Sequence, residues 1–533
     1  MKQLVSDVVD SNALSGAFAT AASAAPAAIE AAIQRKAEET SRAEAKYSTW
    51  PQFLAAFVVN LNTFAYGAGV GWTTMALPQL QSAEAGLRDP PLTTDEVSWV
   101  SSLQPIAALV FTPLYCGLTA RIGRKALGYL TIAPLMLTWI LKIASSSTIV
   151  LYVARVAAGA NAAGSLVLPS IYVSEIASDD VRGALGSFLA LAGNSGILFA
   201  YIVGAYLTYD VVLYVCLLLV ALYVVTYFFM PETPFWLMSA RKYEDAKKEC
   251  ILVSHSTALY LTKNFWKTHQ PRQTIATSFT DCVTQPGDFA YAGSGTGFFE
   301  SQAHGAAVGG RLCSAVSLIG ISLVIVVAIN QQMGGLFAVV NYAVFIFQAS
   351  GSSLSPELAA IVIGLLQVAG GVASAPLMDR LGRRVILLLS NVCVGVSVAV
   401  LGVYFYLRTE TDVDVSLIGW LPVTCLSVYL LMMAFGLGPL PYILLSEIVA
   451  PRVRGVASVL AFSAIWGSAA LMTKLYPLMS EAMGVHGTFW FFAAICLACS
   501  IIGLSTLPET KGRPLEDILR DLKGGKETVD TVS

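Results

Sequence analysis

The sequence predicts an all-α membrane protein of twelve transmembrane helices, arranged as two pseudo-symmetric six-helix halves, and three observations carry that expectation. Apolar residues make up 56% of the 533 and charged residues only 12%, with a mean hydropathy of +0.68, whereas a soluble chain runs nearer ~25% charged. Residues 169–183, PSIYVSEIASDDVRG, match residues 441–455, PYILLSEIVAPRVRG, without a gap at an offset of 272. Arg121-Ile-Gly-Arg-Lys125 and Arg380-Leu-Gly-Arg-Arg384 repeat earlier in each half, so the order of the motifs is duplicated as well. Such duplication is common in membrane transporters, which hold their substrate where the halves meet. The third observation is the placement of charge. With residue 1 in the cytosol, 27 of the 32 Lys and Arg fall in cytosolic segments, the exceptions being Arg88, Lys142, Arg155, Arg408 and Lys474. That distribution obeys the positive-inside rule and puts both termini in the cytosol.

A bilayer crossing needs roughly 20 predominantly apolar residues. After a cytosolic tail, 1–50, the first half, 51–230, supplies spans at about 52–80, 97–118, 126–147, 150–175, 184–207 and 210–230. The tail has an alanine-rich stretch, 13–33, but it lacks a leucine-type core and contains Glu30, so it does not read as a signal segment. The longest external loop, 81–96, is held by Pro90 and Pro91. Each Arg-x-Gly-Arg-Lys/Arg run is a short cytosolic turn, where glycine permits tight geometry and the cations anchor to the membrane surface. Residues 231–311, with eight basic residues, form the linker between halves. Its first part, 232–250, has the charge mix of short interfacial helices, and 285–310 has the composition of a flexible segment. The second half, 312–507, supplies spans at about 312–348, 357–378, 385–407, 417–446, 456–478 and 485–507, and a cytosolic tail, 508–533, follows. Several of these are long enough to be tilted or broken.

Composition also excludes classes of function. No segment is left for a folded soluble domain, and no Walker-type phosphate loop is present to drive transport by ATP, so any pumping would need an ion gradient. Seven of the nine cysteines lie in spans and the other two, Cys250 and Cys282, in the linker, which leaves no external disulfide framework. A net charge of −2 implies no nucleic-acid partner. No cofactor is expected, and no nucleophile–base pair or metal-ligand cluster in a span suggests an enzyme.

Unsatisfied polar groups in hydrocarbon cost on the order of several kcal/mol each, so mid-span polar residues are the first place to look for function. The densest cluster is Asn330-Gln331-Gln332, followed by Gly334 and Gly335, which let the helix bend or unwind, and then by Asn341 and Tyr342. Gln367 adds an amide in the next span and Asn194 one in the fifth. Amides and phenols both donate and accept, and aromatic faces stack on sugar C–H groups, so the set suits a ligand covered in hydroxyls. Bonding helices to one another is the alternative for any single amide, Asn194 included. Gln331 and Gln332 are adjacent and point in different directions beside a glycine pair, which serves helix packing poorly.

At the cytosolic span ends, Glu175 and Arg182 in one half match Glu447 and Arg454 in the other, seven residues apart each time. Opposite charges there can form bridges that close the cytosolic side and break when it opens. Arg124 and Arg383 of the loop motifs, with Asp379, belong to the same expected gate. Simple anchoring to the membrane surface is the alternative.

On these motifs the chain, over residues 50–518, resembles the sugar porters of the major facilitator superfamily. The resemblance rests on Arg121-Ile-Gly-Arg-Lys125, Arg155-Val-Ala-Ala-Gly159, Pro169-x-x-Tyr172-x-x-Glu175, Arg182-Gly183, Pro231-Glu-Thr-Pro-Phe-Trp-Leu237, Gln331-Gln332, Asp379-Arg-Leu-Gly-Arg-Arg384, Gly438-Pro-Leu-Pro441, Glu447 with Arg454-Gly455, and Pro508-Glu-Thr510. Within that family, Asn194, the run Gly484-Val-His486-Gly-Thr-Phe-Trp490 and the ending Pro508-Glu-Thr-Lys-Gly512 look like the insect facilitated trehalose transporter branch. The resemblance implies a major facilitator fold and a sugar site that carries over to Gln331, Gln332, Gln367, Tyr442 and Trp466. It also shows departures. Ala190 stands where glucose facilitators commonly carry a sugar-binding glutamine, Phe337 replaces the usual asparagine after the Gln pair, and Tyr442 replaces a tryptophan. Ala434 and Ile465 replace an acid and an asparagine, and Ala120 stands where the second loop motif has Asp379, so the two gates are expected to differ in strength.

Proton-coupled members resemble one another in setting a first-span aspartate near the arginine that corresponds to Arg155. Here the first span has no acid, none of the 34 Asp and Glu lies mid-span, and His255, His269, His304 and His486 all sit in loops or at a span edge. Proton coupling needs a titratable group within the membrane. The expected function is therefore facilitated diffusion of trehalose or a hexose by alternating access, at the plasma membrane and as a monomer. A proton-coupled symporter and a non-transporting sugar sensor are the alternatives.

Overall fold

The computed structural model describes residues 50–87, 89–119, 121–144, 147–178, 181–240, 242, 245, 315–449, 453–506 and 509. The expectations for the tail 1–49 and for the linker beyond residue 245 lie outside the described residues. In the first half, α1 (Trp50–Gln81), α2 (Thr94–Thr119), α3 (Arg124–Ala144), α4 (Thr148–Ile176), α5 (Arg182–Tyr206) and α6 (Tyr209–Phe228) follow one another, and a short α7 (Pro234–Ser239) opens the linker. The second half begins with α8 (Ala315–Met333) and α9 (Leu336–Ser350), then α10 (Pro356–Leu381) and α11 (Arg383–Glu410). A 3₁₀ turn (Ser416–Ile418) leads into α12 (Leu421–Met432), a π-helical turn (Met433–Leu437) and α13 (Leu440–Glu447), and α14 (Arg454–Thr506) closes the fold.

Among the described residues, eleven helical stretches are long and apolar enough to cross a bilayer. The last, Gly455–Gly503, runs 49 residues, over twice what one crossing of roughly 20 needs. At Gly484 the backbone leaves helical geometry (φ 75°, ψ 164°), a conformation glycine tolerates for want of a Cβ. α14 is therefore two crossings joined by a kink, which gives the twelve expected.

The first break inside a crossing comes where the glycine pair predicts it. Gly335 has φ 90° and ends α8 before α9 starts, and the freed Gly334 carbonyl accepts a 2.9 Å bond from the Tyr429 hydroxyl. The second is the π-helical turn after α12, where the extra residue per turn brings Gly438 against the start of α13. Both breaks leave backbone carbonyls to be met from elsewhere, which membrane helices tolerate only inside protein.

Within the first half, α1 packs along α5 and α2 along α4; within the second, α11 packs along α14. Between halves, α2 lies against α14, α5 against α10 and α1 against α9. The α1–α5 contact is close because Gly196 lies against the Phe64 carbonyl and Gly67 against that of Gly193, where a Cβ would collide. Trp72 and Trp139 meet edge to face, with centroids 6.2 Å apart, inside the first half. In the loop between α11 and α12, Asp414 accepts from the Ser416 amide (2.9 Å) and hydroxyl (3.0 Å). These bonds hold its carboxyl below the usual value and cap the 3₁₀ turn.

Candidate functional site

The seam between the halves is bonded from mid-membrane outward. Thr74 on α1 donates to the Val340 carbonyl on α9 at 2.7 Å, and Tyr201 on α5 donates to the same oxygen at 3.3 Å. Gln367 Nε2 on α10 donates to Asn194 Oδ1 on α5 at 3.1 Å, so two amides expected at the site meet across the seam. Tyr66 on α1 meets Trp466 on α14 edge to face at 6.1 Å, and Phe337 on α9 does the same from the other side at 6.1 Å.

Of the amides expected at the sugar site, Gln331, Gln332, Gln367 and Asn341 are buried and incompletely bonded, while Asn194 is half-buried. Gln331 Nε2 donates to the Gly438 carbonyl at 3.2 Å, which ties the end of α8 to the break before α13. Its Oε1 makes no hydrogen bond, nor do Gln332 Oε1, Gln367 Oε1 and Trp466 Nε1, all buried. A buried unsatisfied polar atom costs about 1–3 kcal/mol. Four of them on residues that span α8, α10 and α14 are donors and acceptors suited to a hydroxylated ligand. Tyr442 is half-buried on α13 with its ring 5.8 Å from Phe462, and it lies within electrostatic reach of the Tyr66 hydroxyl.

Three members of the polar cluster have partners within the second half. Asn330 donates to Asn391 Oδ1 on α11 at 2.9 Å and so packs the second half internally. Asn341 Nδ2 bonds back to the Phe337 carbonyl one turn earlier at 2.7 Å, although its buried Oδ1 has no partner. Tyr342 stacks on Tyr476 at 4.9 Å and donates to the Thr473 carbonyl.

Arg155 is fully buried on α4. Its Nε donates to the Val100 carbonyl at 2.7 Å, and both terminal nitrogens lack a hydrogen-bond partner. Among the described residues, the Tyr66 and Tyr342 phenols are the groups in its electrostatic neighbourhood that favour its charge.

At the helix ends expected to be cytosolic, the two halves repeat one construction. Arg124 Nε and Nη2 grip Glu175 at 3.0 and 2.5 Å while Nη1 donates to the Thr119 carbonyl at 3.1 Å. Arg383 Nε and Nη2 grip Glu447 at 3.2 and 2.8 Å while Nη1 donates to the Met378 carbonyl at 3.3 Å. Each arginine also begins a helix whose amides a second glutamate caps. Glu232 accepts from the Arg124 and Lys125 amides, and Glu509 from those of Arg383 and Arg384, as the partial positive charge of a helix N-terminus favours. The first pair is the more enclosed, with side chains 1% and 11% exposed against 12% and 24% in the second. Spacing along the chain had paired Glu175 with Arg182 and Glu447 with Arg454; the partners described are the loop arginines Arg124 and Arg383. The side chains of Arg182, Asp379 and Arg454 lie outside those described.

Sequence reasoning passed over Glu232 and Glu509 as caps, although Pro-Glu-Thr occurs at both 231–233 and 508–510 and is itself a repeated signal. It also passed over Tyr66, for which a phenol amid apolar neighbours gave no signal.

Comparison with known proteins bears on the family and the fold. The family described as "Sugar (and other) transporter" matches residues 18–259 and 300–522. A facilitated trehalose transporter, Tret1, of Bombyx mori is 31% identical over 489 residues, covering 92% of this chain and 90% of that protein. Its namesake from Drosophila mojavensis is 28% identical over 91% of this chain, which spans only 53% of that longer relative. Among solved structures, the proton:xylose symporter XylE bound to 6-bromo-6-deoxy-D-glucose superposes with a TM-score of 0.65 at 19% identity, over 89% of this chain and 99% of that one. An inward-open form of XylE from E. coli gives 0.67 at 17% identity, over 88% and 99%. At such identities these structures speak for the fold alone.

Proposed function

The chain belongs to the sugar transporter family, and from that premise we propose that it is a facilitative transporter moving trehalose or a hexose down its gradient by alternating access. One observation carries the reading. Four buried polar atoms, on Gln331, Gln332, Gln367 and Trp466, have no partner among the described residues, and Gln367 and Trp466 reach the first half through Asn194 and Tyr66. Sugar hydroxyls would satisfy them, and Tyr66 and Phe337 present aromatic edges around the Trp466 indole. Gln331, Gln332, Gln367, Tyr442 and Trp466 bind the sugar; Asn194 orients Gln367, and Asn341 adds an acceptor through Oδ1. The Arg124–Glu175 and Arg383–Glu447 pairs, with Arg182, Asp379 and Arg454, form the cytosolic gate.

Uniport rather than proton symport is supported by Arg155, whose buried guanidinium has phenols and no carboxylate beside it among the described residues. A proton-coupled cycle needs a group that takes and releases a proton within the membrane. The protein works as a monomer at the plasma membrane, with both termini cytosolic.

Purified protein in liposomes, offered trehalose, glucose, fructose and sucrose with and without a pH gradient, tests the proposal. Saturable uptake of one or more of these sugars, at a rate indifferent to the gradient, is expected. Acceleration by an inward proton gradient at clamped voltage would make it a symporter, and binding without uptake would make it a sensor.

A further inference from the structure

Four of the five basic residues that depart from the cytosolic pattern lie in helices of the described structure, and one of them, Lys474, crosses between the halves. Its ammonium, on the first leg of α14, donates to Asp95 Oδ1 at 2.8 Å and to the Ser98 hydroxyl at 2.7 Å, both in the first turns of α2. It also sits 4.0 Å from the centroid of the Trp99 ring. Residues one helical turn apart on α2, Asp95 and then Ser98 and Trp99, thus supply a carboxylate, a hydroxyl and a π-face to one cation from the opposite half. Ser98 is held in turn by donating to the Asp95 carbonyl at 2.7 Å. With the termini cytosolic, α2 starts and the first leg of α14 ends on the external side.

We propose that Lys474, Asp95, Ser98 and Trp99 form an external latch, which holds the outward mouth shut while the sugar site communicates with the cytosol. The proposal rests on the alternating-access reading and concerns a different part of the molecule from the sugar site. Both gated pairs at the cytosolic ends, Arg124–Glu175 and Arg383–Glu447, lie inside a single half. They act on the cytosolic gate from within each half, and opening the external mouth does not of itself pull them apart. Lys474–Asp95 joins α14 to α2, so any outward opening that parts those helix ends must break it. The Thr74–Val340 and Tyr201–Val340 bonds tie α9 to the first half without any charge; the latch adds the ionic contact.

The size of the effect follows from exposure. Asp95 is 74% exposed and Lys474 23%, so the carboxylate is screened by water and the pair alone shifts an equilibrium about two- to fivefold. That suits a contact that must be broken in every cycle. A fully buried pair would be too costly to open.

Hydrogen exchange on the full chain in lipid nanodiscs reads the latch without reference to which sugar is carried. The variants are Asp95→Asn, Lys474→Gln and the swap Asp95→Lys with Lys474→Asp. The exposure of Asp95 means that Asp95→Asn removes charge without opening the core. Expected is a two- to fivefold faster exchange in peptides from the external ends of α1 and α9 in each single variant, with recovery toward the parent in the swap. Exchange unchanged in both single variants would overturn the latch. So would an equal rise throughout both halves, which marks a structural contact, or a swap that recovers nothing. Failure of every protein, parent included, to take up sugar would count against the proposed function and leave this readout intact.

Discussion

Gln367 Nε2 donates to Asn194 Oδ1 at 3.1 Å across the seam between the two halves, while Gln367 Oε1 is buried with no partner. The bond assigns the two amides different work. Asn194 fixes the rotamer of Gln367, and Gln367 offers its oxygen to a ligand.

A double-mutant cycle separates these roles. Gln367→Ala removes a hydrogen bond to sugar of about 1 kcal/mol and should raise KM about fivefold. Asn194→Ala should raise it by less, because the glutamine remains but is no longer aimed. In the Gln367→Ala background Asn194→Ala should then change nothing further, a coupling that additive effects would contradict. Concentration-dependent uptake in the four proteins gives the answer.

Gln331 has the harder task of the amide pair, since its Nε2 holds the Gly438 carbonyl at the broken helix and its Oε1 faces away unbonded. Gln331→Ala loses both the ligand contact and the tie between α8 and α13. Uptake at subsaturating sugar should fall at least tenfold, equivalent to about 1.4 kcal/mol, with surface expression intact. Unchanged uptake would remove the amide pair from the binding site.

The matched glutamates should not respond alike to neutralisation. Glu175 and its arginine are 11% and 1% exposed, Glu447 and its arginine 24% and 12%. Breaking a buried pair by removing one charge costs about 3–5 kcal/mol, because the other is left unpaired in low dielectric. Glu175→Gln should therefore lower the melting temperature of the purified protein clearly. Glu447→Gln should lower it less and act mainly on the cycle, shifting the balance toward cytosol-open states as read by a side-specific inhibitor. Equal melting losses would mean that enclosure does not set the strength of the two pairs.

What could be read in the sequence was whatever the duplication wrote twice or local chemistry wrote once. The twelve crossings, the break at Gly334-Gly335 and the repeated Arg-x-Gly-Arg loops were all of that kind. The partners were not. Glu175 and Arg182 are seven residues apart and looked like a pair, yet the described partner of Glu175 is Arg124, 51 positions away. Such a contact depends on how α2, α3 and α4 stack, and no spacing along one helix encodes it. For the same reason Lys474 and Lys142 read only as exceptions to a charge rule. Their partners, Asp95 at a separation of 379 and Trp72 at 70, are brought to them by packing.

Lys142 supplies the last test. Its ammonium is buried at the end of α3, 3.4 Å from the centroid of Trp72 and 4.2 Å from that of Trp139, and its Nζ makes no hydrogen bond. Two opposing effects bear on it. Each indole attracts a desolvated cation by about 2 kcal/mol, whereas taking an ammonium out of water costs several kcal/mol after relaxation. The guanidinium of Arg155, in its electrostatic neighbourhood, adds like-charge repulsion. The sum is slightly unfavourable, so Lys142→Met, which keeps an unbranched stem of similar size between the rings, should leave the melting temperature of the purified protein unchanged or raise it. Trp72→Ala should instead cost about 3–5 kcal/mol through the cavity it leaves among α1, α3 and α6. A lower melting temperature for Lys142→Met would mean that the two indoles outweigh desolvation, and that the charge itself binds α3 to α1.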